Sequence, residues 1–200
     1  MLPAREGDCL WIRYGPRDSP HQILIDGGRS ETYLDIKRRL AELPERQRHF
    51  ELFVITHIDR DHIEGALAML EDTDLKLTFK DIWFNGYDHL RDVELETFGA
   101  LQGERLTEAL LPRKESWNAA FESGPVKIPA DGRLPKVSLP GGLSLTLLSP
   151  DSDKLARLSP RWEAECASAG IQPGGEGCRT EPEGLESFGG IPDVERLAAL

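Results

Sequence analysis

A chain of 200 residues with 39% apolar residues has room for one large domain or two small ones, and enough apolar side chains for a packed core. Its formal net charge of −11 counts against broad adhesion to nucleic acid or anionic membranes, because phosphate contacts need Lys and Arg gathered in a patch. There is no run near the roughly 18 apolar residues of a membrane span, the opening MLPAREGDCL lacks the basic and apolar parts of a leader, and Cys9, Cys166 and Cys178 are odd in number and widely spaced, so the expectation is a cytoplasmic globular protein with reduced thiols.

In chain order, DCLWIRYG and HQILIDGG read as two strands of a hairpin joined by the turn-rich PRDSP, with Gly27 and Gly28 ending the second. Tyr33, Ile36, Leu40 and Leu43 then recur at helical spacing, with Ser30 as the expected N-cap and Pro44 as the stop. Within this stretch Lys37, Arg38, Arg39, Arg46 and Arg48 form a local basic cluster. FELFVIT is a continuous apolar run, the pattern of a strand covered on both faces. A helix follows, beginning near Ile63, with Ile63, Ala66, Leu67 and Leu70 on one side.

Farther on, DIWFNG reads as a strand, residues 103–111 and 115–121 as short helices, and KVSLPGGLSLTLLS as a hairpin whose second arm alternates Leu143, Leu145 and Leu147. SPDSDKLARLSPRWEAECASAG reads as a capped helix interrupted or restarted at Pro160. Trp83, Trp117 and Trp162 are expected in the core. Strands and helices interleave, so the fold class is α/β or α+β. After Gly170 the composition turns to Gly and Pro, which predicts a domain over residues 1–170 and a loop or disordered tail over 171–200.

The chemistry concentrates in THIDRDHIEG, residues 56–65. Two histidines and three acidic residues follow a buried strand directly, and the carboxyl ends of strands are where α/β folds assemble their sites. Imidazole nitrogens and carboxylate oxygens are ligands for zinc, manganese and iron, and His57, Asp59, Asp61 and His62 in one tight loop can converge on two neighbouring ions. Two such ions about 3.5–4 Å apart activate a bridging water and stabilise the leaving oxygen of an ester or phosphodiester. The competing account is ordinary helix capping, with Asp61 and Glu64 arranged like a capping box. Capping uses one of these side chains, however, and leaves the others unexplained.

THIDRDHIEG resembles the metal-binding signature of the metallo-β-lactamase superfamily, His-x-His-x-Asp-His, and ILIDGG resembles the strand-end aspartate motif that precedes it there. Asp59 stands where most members have histidine; this form, together with GDCLWIRYG, resembles the subgroup related to the hydrolase domain of competence DNA-uptake channel proteins. The resemblance covers roughly the first 150 residues, with the specific motifs inside the first 70. It implies a four-layer αββα sandwich and a metal-dependent hydrolase whose metal-bound hydroxide attacks an ester or phosphodiester. By the same resemblance, His57 and Asp59 help hold a first ion, Asp61 and His62 belong to a second, and Asp61 also orients the attacking water. Asp59 adds a hard oxygen ligand, which should raise tolerance for manganese or magnesium relative to zinc. Asp26 is expected to be a supporting carboxylate that positions the loop.

The family's later ligands, an aspartate in a Leu-Thr-Gly-Asp-like context and a late histidine, have no counterpart; past His62 the sole histidine is His89, a candidate to face the site or a hydrogen-bonded loop residue. The pairs Glu71/Asp72 and Asp151/Asp153 read as helix-end and helix-start charges. The expectation is therefore the N-terminal portion of the sandwich, its first sheet short of a packing partner. Two functions stay open: a metallo-hydrolase acting on a nucleic acid or a small phosphoester, or a non-catalytic module of the same fold working through a protein partner.

Overall fold

The computed structural model describes residues 1–4, 6–90 and 100–173 of the chain, so the expected tail falls almost wholly outside the described residues. The architecture is α+β around a mixed four-stranded sheet. Strands β1 (Leu10–Tyr14) and β2 (His21–Ile25) form the expected hairpin, in antiparallel register from Leu10 opposite Ile25 to Tyr14 opposite His21. Strands β3 (His49–Phe50), β4 (Leu52–Val54), β5 (Thr78–Phe79) and β6 (Ile82–Trp83) follow. The sheet order is β1-β2-β4-β6, with β2, β4 and β6 parallel.

The run FELFVIT is thus two strands. Phe50 belongs with β5 in a separate two-stranded parallel sheet, and pairing passes to the main sheet at Glu51, whose N–H bonds the Gln22 carbonyl at 2.8 Å. An apolar run reports burial but not where the neighbour changes.

Alternation along the three parallel strands divides the core. Leu24, Phe53 and Ile82 face helices α1 (Tyr33–Ala41) and α2 (Arg60–Glu71), where Ile36, Leu40, Ile63 and Met69 are fully buried. Each such side chain contributes about 1.5–3 kcal/mol. The other face carries Ile23, Leu52 and Trp83, packed with Val126, Phe121 and an antiparallel hairpin, β7 (Lys136–Ser138) and β8 (Ser144–Thr146). The main sheet is therefore not bare on its second side, although the hairpin residues covering it, Val137, Leu143 and Leu145, are themselves only half-buried.

Ser30 is not the N-cap of α1. It opens a 3-10 turn, Ser30–Thr32, and its N–H and hydroxyl both donate to Glu64 Oε2 at 3.3 Å, so the residue is spent on joining α1 to α2. Helix α3 (Ala100–Leu110) begins three residues before the expected 103–111 segment and ends one residue short of it. The helix expected over 115–121 is instead two 3-10 turns, Leu111–Ser116 and Ala119–Phe121, broken at Asn118, whose φ is 52°. Its buried side chain bonds the backbone of Phe84 and Gly124, and those bonds hold the kink. Helices α4 (Ser152–Ala156) and α5 (Ser159–Ser168) realise the interrupted helix, with Asp151 capping α4 by accepting the Lys154 N–H at 2.8 Å.

Trp162 and Trp83 are buried and Trp117 packs against the core. Cys9 and Cys166 are buried free thiols, and Cys178 lies outside the described residues. The basic cluster is largely neutralised: Lys37 pairs with Asp72 and Asp74, Arg38 with Asp35, Arg39 with Glu42, and Arg48 donates to the carbonyls of Leu43, Leu75 and Ala41. Among the described residues no helix is long and apolar enough to cross a membrane.

Candidate metal centre

Because β2, β4 and β6 run parallel, their carboxyl ends share one edge of the sheet, and that edge collects Asp26, Thr56 and Asn85. Asp26 carries the geometry. Its φ of 57° lies in the left-handed region that side chains other than Asn and Asp seldom adopt, and its side chain is buried at 2% exposure. Oδ1 accepts the Thr56 N–H at 2.7 Å, while Oδ2 accepts the Thr56 hydroxyl at 2.5 Å and lies 2.9 Å from His62 Nδ1. One carboxylate thereby ties the end of β2 to the loop after β4 and to the first turn of α2.

The approach of α2 depends on two glycines. A Cβ on Gly65 would lie 2.0 Å from the Gly27 carbonyl oxygen, and one on Gly27 would lie 2.0 Å from the Ala66 nitrogen. With both side chains absent, Gly27 N–H bonds the His62 carbonyl and Gly65 N–H bonds the Gly28 carbonyl, each at 2.9 Å. Helix and loop are stitched backbone to backbone, which fixes where His62 stands.

The helix begins earlier than its apolar spacing suggests. With α2 starting at Arg60, Asp61 and His62 sit on its first turn, and only His57 and Asp59 remain in the loop. Asp59 occupies the N-cap position, yet its side chain makes no capping bond; its backbone carbonyl accepts the N–H groups of His62 and Ile63. No capping box forms either, since Glu64 is taken up by Arg60 Nε at 2.6 Å and by Ser30. The carboxylate of Asp59 is not consumed by helix capping.

The four predicted side chains gather in pairs. His57 Nδ1 lies 3.8 Å from Asp59 Oδ2, His62 Nε2 lies 3.8 Å from Asp61 Oδ2, and the two imidazole centroids are 4.9 Å apart. His57 and Asp59 are open to solvent, with side-chain exposures of 61% and 49%. Among the described residues, no group of three or more His, Cys, Asp and Glu side chains converges closely enough to enclose an ion. The donor types are those a divalent metal accepts: two imidazoles and two carboxylates, with His62 Nδ1 engaged by the buried Asp26 carboxylate and its Nε2 facing Asp61 Oδ2 at 3.8 Å. Burial pulls the His62 pKa down, and the hydrogen bond and charge of Asp26, aided by Asp61, more than reverse this, so it stands above its ordinary value.

His89 does not join this group through a free ring nitrogen. Its Nδ1 accepts the Gly86 N–H at 3.2 Å, its Nε2 faces the Ser123 carbonyl at 3.3 Å, and its ring packs edge-on against Trp117. Burial holds its pKa below the ordinary value. Asp72 accepts the Tyr33 hydroxyl and pairs with Lys37, Asp151 caps α4, and the Cys9 thiol is pushed up to about 12 by burial and the nearby Asp26.

Beside the loop lies a cleft of about 590 Å³. Its lining includes His57 and Asp59 from the loop, the apolar side chains Trp83, Val126, Leu147 and Leu155, and Lys154 and Arg157 from α4 and its C-cap. Sequence reasoning missed these two cations, which sit three residues apart and so share a helical face; the only available signal was that spacing.

Compared with known proteins, the chain matches no family model, no curated protein and no solved structure.

Proposed function

We propose that this chain is a metal-dependent hydrolase with the active-site front of a metallo-β-lactamase-like αββα sandwich, acting on an ester or phosphodiester. The observation that carries the reading is the buried Asp26 carboxylate 2.9 Å from His62 Nδ1, at the mouth of parallel strands, with His57, Asp59 and Asp61 alongside. A carboxylate on one imidazole nitrogen is the arrangement that orients ligand histidines; His21 on Glu51 shows the same contact in this chain, and what sets His62 apart is the company of His57, Asp59 and Asp61.

In this reading His57 and Asp59 hold one divalent ion and Asp61 and His62 a second, either zinc or manganese. When bound, the metal supplies Lewis acidity for hydrolysis. The chain's own residues do the rest. Asp26 fixes the tautomer of His62 with its proton on Nδ1, Thr56 locks Asp26 in place, and Asp61 Oδ2, at the solvent edge, orients the attacking water and accepts its proton.

A second reading, a non-catalytic module of the same fold that acts through a protein partner, has one observation in its favour: the side chains pair by twos. The experiment separating the two is hydrolysis of reporter phosphodiesters and carboxyl esters with zinc or manganese added. Turnover that falls at least about a hundredfold in Asp61→Asn, with the fold intact, supports the hydrolase, since losing a proton acceptor costs about 10²–10⁴ in rate. Equal turnover in wild type and variant, at the level of the metal alone, supports the module.

A further inference from the structure

The cleft beside the loop is neither uniformly polar nor uniformly apolar. It is lined by His57 and Asp59 from the loop, by the apolar side chains Trp83, Val126, Leu147 and Leu155, and by Lys154 and Arg157 from α4 and its C-cap. A volume of about 590 Å³ falls inside the roughly 300–1,000 Å³ range of small-molecule sites and holds one compact molecule. The cations are not spoken for by strong partners. Lys154 Nζ reaches Ser149 Oγ at 3.4 Å and Asp151 Oδ2 at 4.0 Å, both at the limit of a contact, and the Arg157 guanidinium makes no hydrogen bond or ion pair with the described residues. What distinguishes these two cations from the paired Lys37, Arg38 and Arg39 of α1 is that they line the same apolar cleft as His57 and Asp59.

We infer that Lys154 and Arg157 form an anion-recognition wall, and that the cleft takes a small molecule with an apolar body and a single anionic group rather than a polymeric nucleic acid. The apolar body meets side chains such as Trp83 and Leu155, the anion meets Lys154 and Arg157, and the scissile part meets His57 and Asp59. A nucleic acid would call for a groove tracking several phosphates with Lys and Arg in line. The basic residues of α1 are instead engaged with carboxylates or backbone carbonyls. This inference rests on the hydrolase reading for the orientation of the scissile bond, but the anion wall itself is open to test without catalysis.

The test is equilibrium binding, with no metal added, of 1-naphthyl phosphate, 1-naphthoate and neutral 1-naphthol to the full chain by titration calorimetry. Wild type is set beside Lys154→Gln, Arg157→Gln and the exposed control Lys136→Gln on β7, which removes the same charge elsewhere. The expected result is that an anionic probe binds, and that each α4 variant weakens it about tenfold while Lys136→Gln and the affinity for 1-naphthol change less than about twofold. A preference for phosphate over carboxylate, or the reverse, identifies the anion. Equal binding of the anionic probes in all four proteins, no binding of either anion, or equal loss in Lys136→Gln overturns the proposal. Because metal is absent from the assay, probe binding that depends on Lys154 and Arg157 stands even if the hydrolase reading fails. Conversely, a protein that hydrolyses reporter esters yet ignores these substitutions keeps the hydrolase and loses the wall.

Discussion

At the scale of single residues, the site depends on places where the usual preferences are reversed. In an ordinary helix, Gly→Ala stabilises by about 1 kcal/mol. At Gly65 the sign should invert, because the new Cβ lands 2.0 Å from a backbone carbonyl that cannot move without releasing the Asp26–Thr56 contacts. Gly65→Ala is expected to lose about 1–3 kcal/mol by denaturant titration, the usual cost of overpacking; a gain would show that α2 is not held against the Gly27 loop. His89 supplies a pH test. Burial holds its folded-state pKa below its ordinary 6.5, with the Ser123 carbonyl and Asp88 pulling the other way, so the unfolded chain binds the proton more readily. Its contribution is full at pH values above about 6.5, falls as the solution is acidified through that value, and levels off below the folded-state pKa. His62, whose pKa is raised, acts with the opposite sign, so the readout is the difference between wild type and His89→Gln. The variant should lose less stability than wild type between pH 7.5 and 5.5, and parallel curves would contradict the account. At this scale the sequence singled out His57, Asp59, Asp61 and His62 by donor type and tight spacing, and Asp26 by its place at a strand end; the structure brings Asp26 onto His62 and leaves the other contacts as two pairs at 3.8 Å. The fate of each atom was not legible, since which nitrogen of His62 meets which oxygen of Asp26 depends on a left-handed turn that spacing does not report.

At the scale of elements, α1 and α2 are joined by a buried carboxylate. Asp72, at the end of α2, accepts the Tyr33 hydroxyl, pairs with Lys37 Nζ at 2.7 Å, and accepts the N–H groups of Asp74 and Leu75. Burial alone would raise its pKa, but the bonds from Lys37, Tyr33 and Leu75 outweigh it and hold the group below 3.8. Its stabilising effect is therefore present above the ordinary value and is lost as pH falls through the folded-state value. Asp72→Asn should cost about 1–3 kcal/mol near neutral pH, measured by thermal or urea unfolding, and the deficit should shrink in strong acid. A deficit that does not change with pH would mean that the charge is not what joins the helices. Element boundaries were less legible than element types. The 3.6-residue spacing found α1 and α2, and alternation found the β7–β8 hairpin, but apolar spacing placed the start of α2 near Ile63, because the first turn, with Arg60, Asp61 and His62, is polar for reasons unrelated to burial. The break at Asn118 was hidden for a related cause: its bonds run to Phe84, 34 residues away.

At the scale of the whole molecule, three parallel strands deliver Asp26, Thr56 and Asn85 to one edge, two helices shield one face, and the β7–β8 hairpin with α4 closes the other around an apolar cleft. The mixed α+β class could be read from the order of patterns along the chain. The cleft could not, because it is made by residues 54–59, 83–85 and 147–158, which no local pattern connects. The central question for the molecule is whether the loop after β4 binds metal. The deciding measurement is the metal content of the purified chain by elemental mass spectrometry after loading with zinc or manganese, for wild type, His57→Ala, Asp61→Ala and the distant His89→Gln. One to two equivalents in wild type and His89→Gln, with loss of at least half in His57→Ala and Asp61→Ala, is the predicted result; no retained metal in folded wild type, or equal retention in all four proteins, would contradict it.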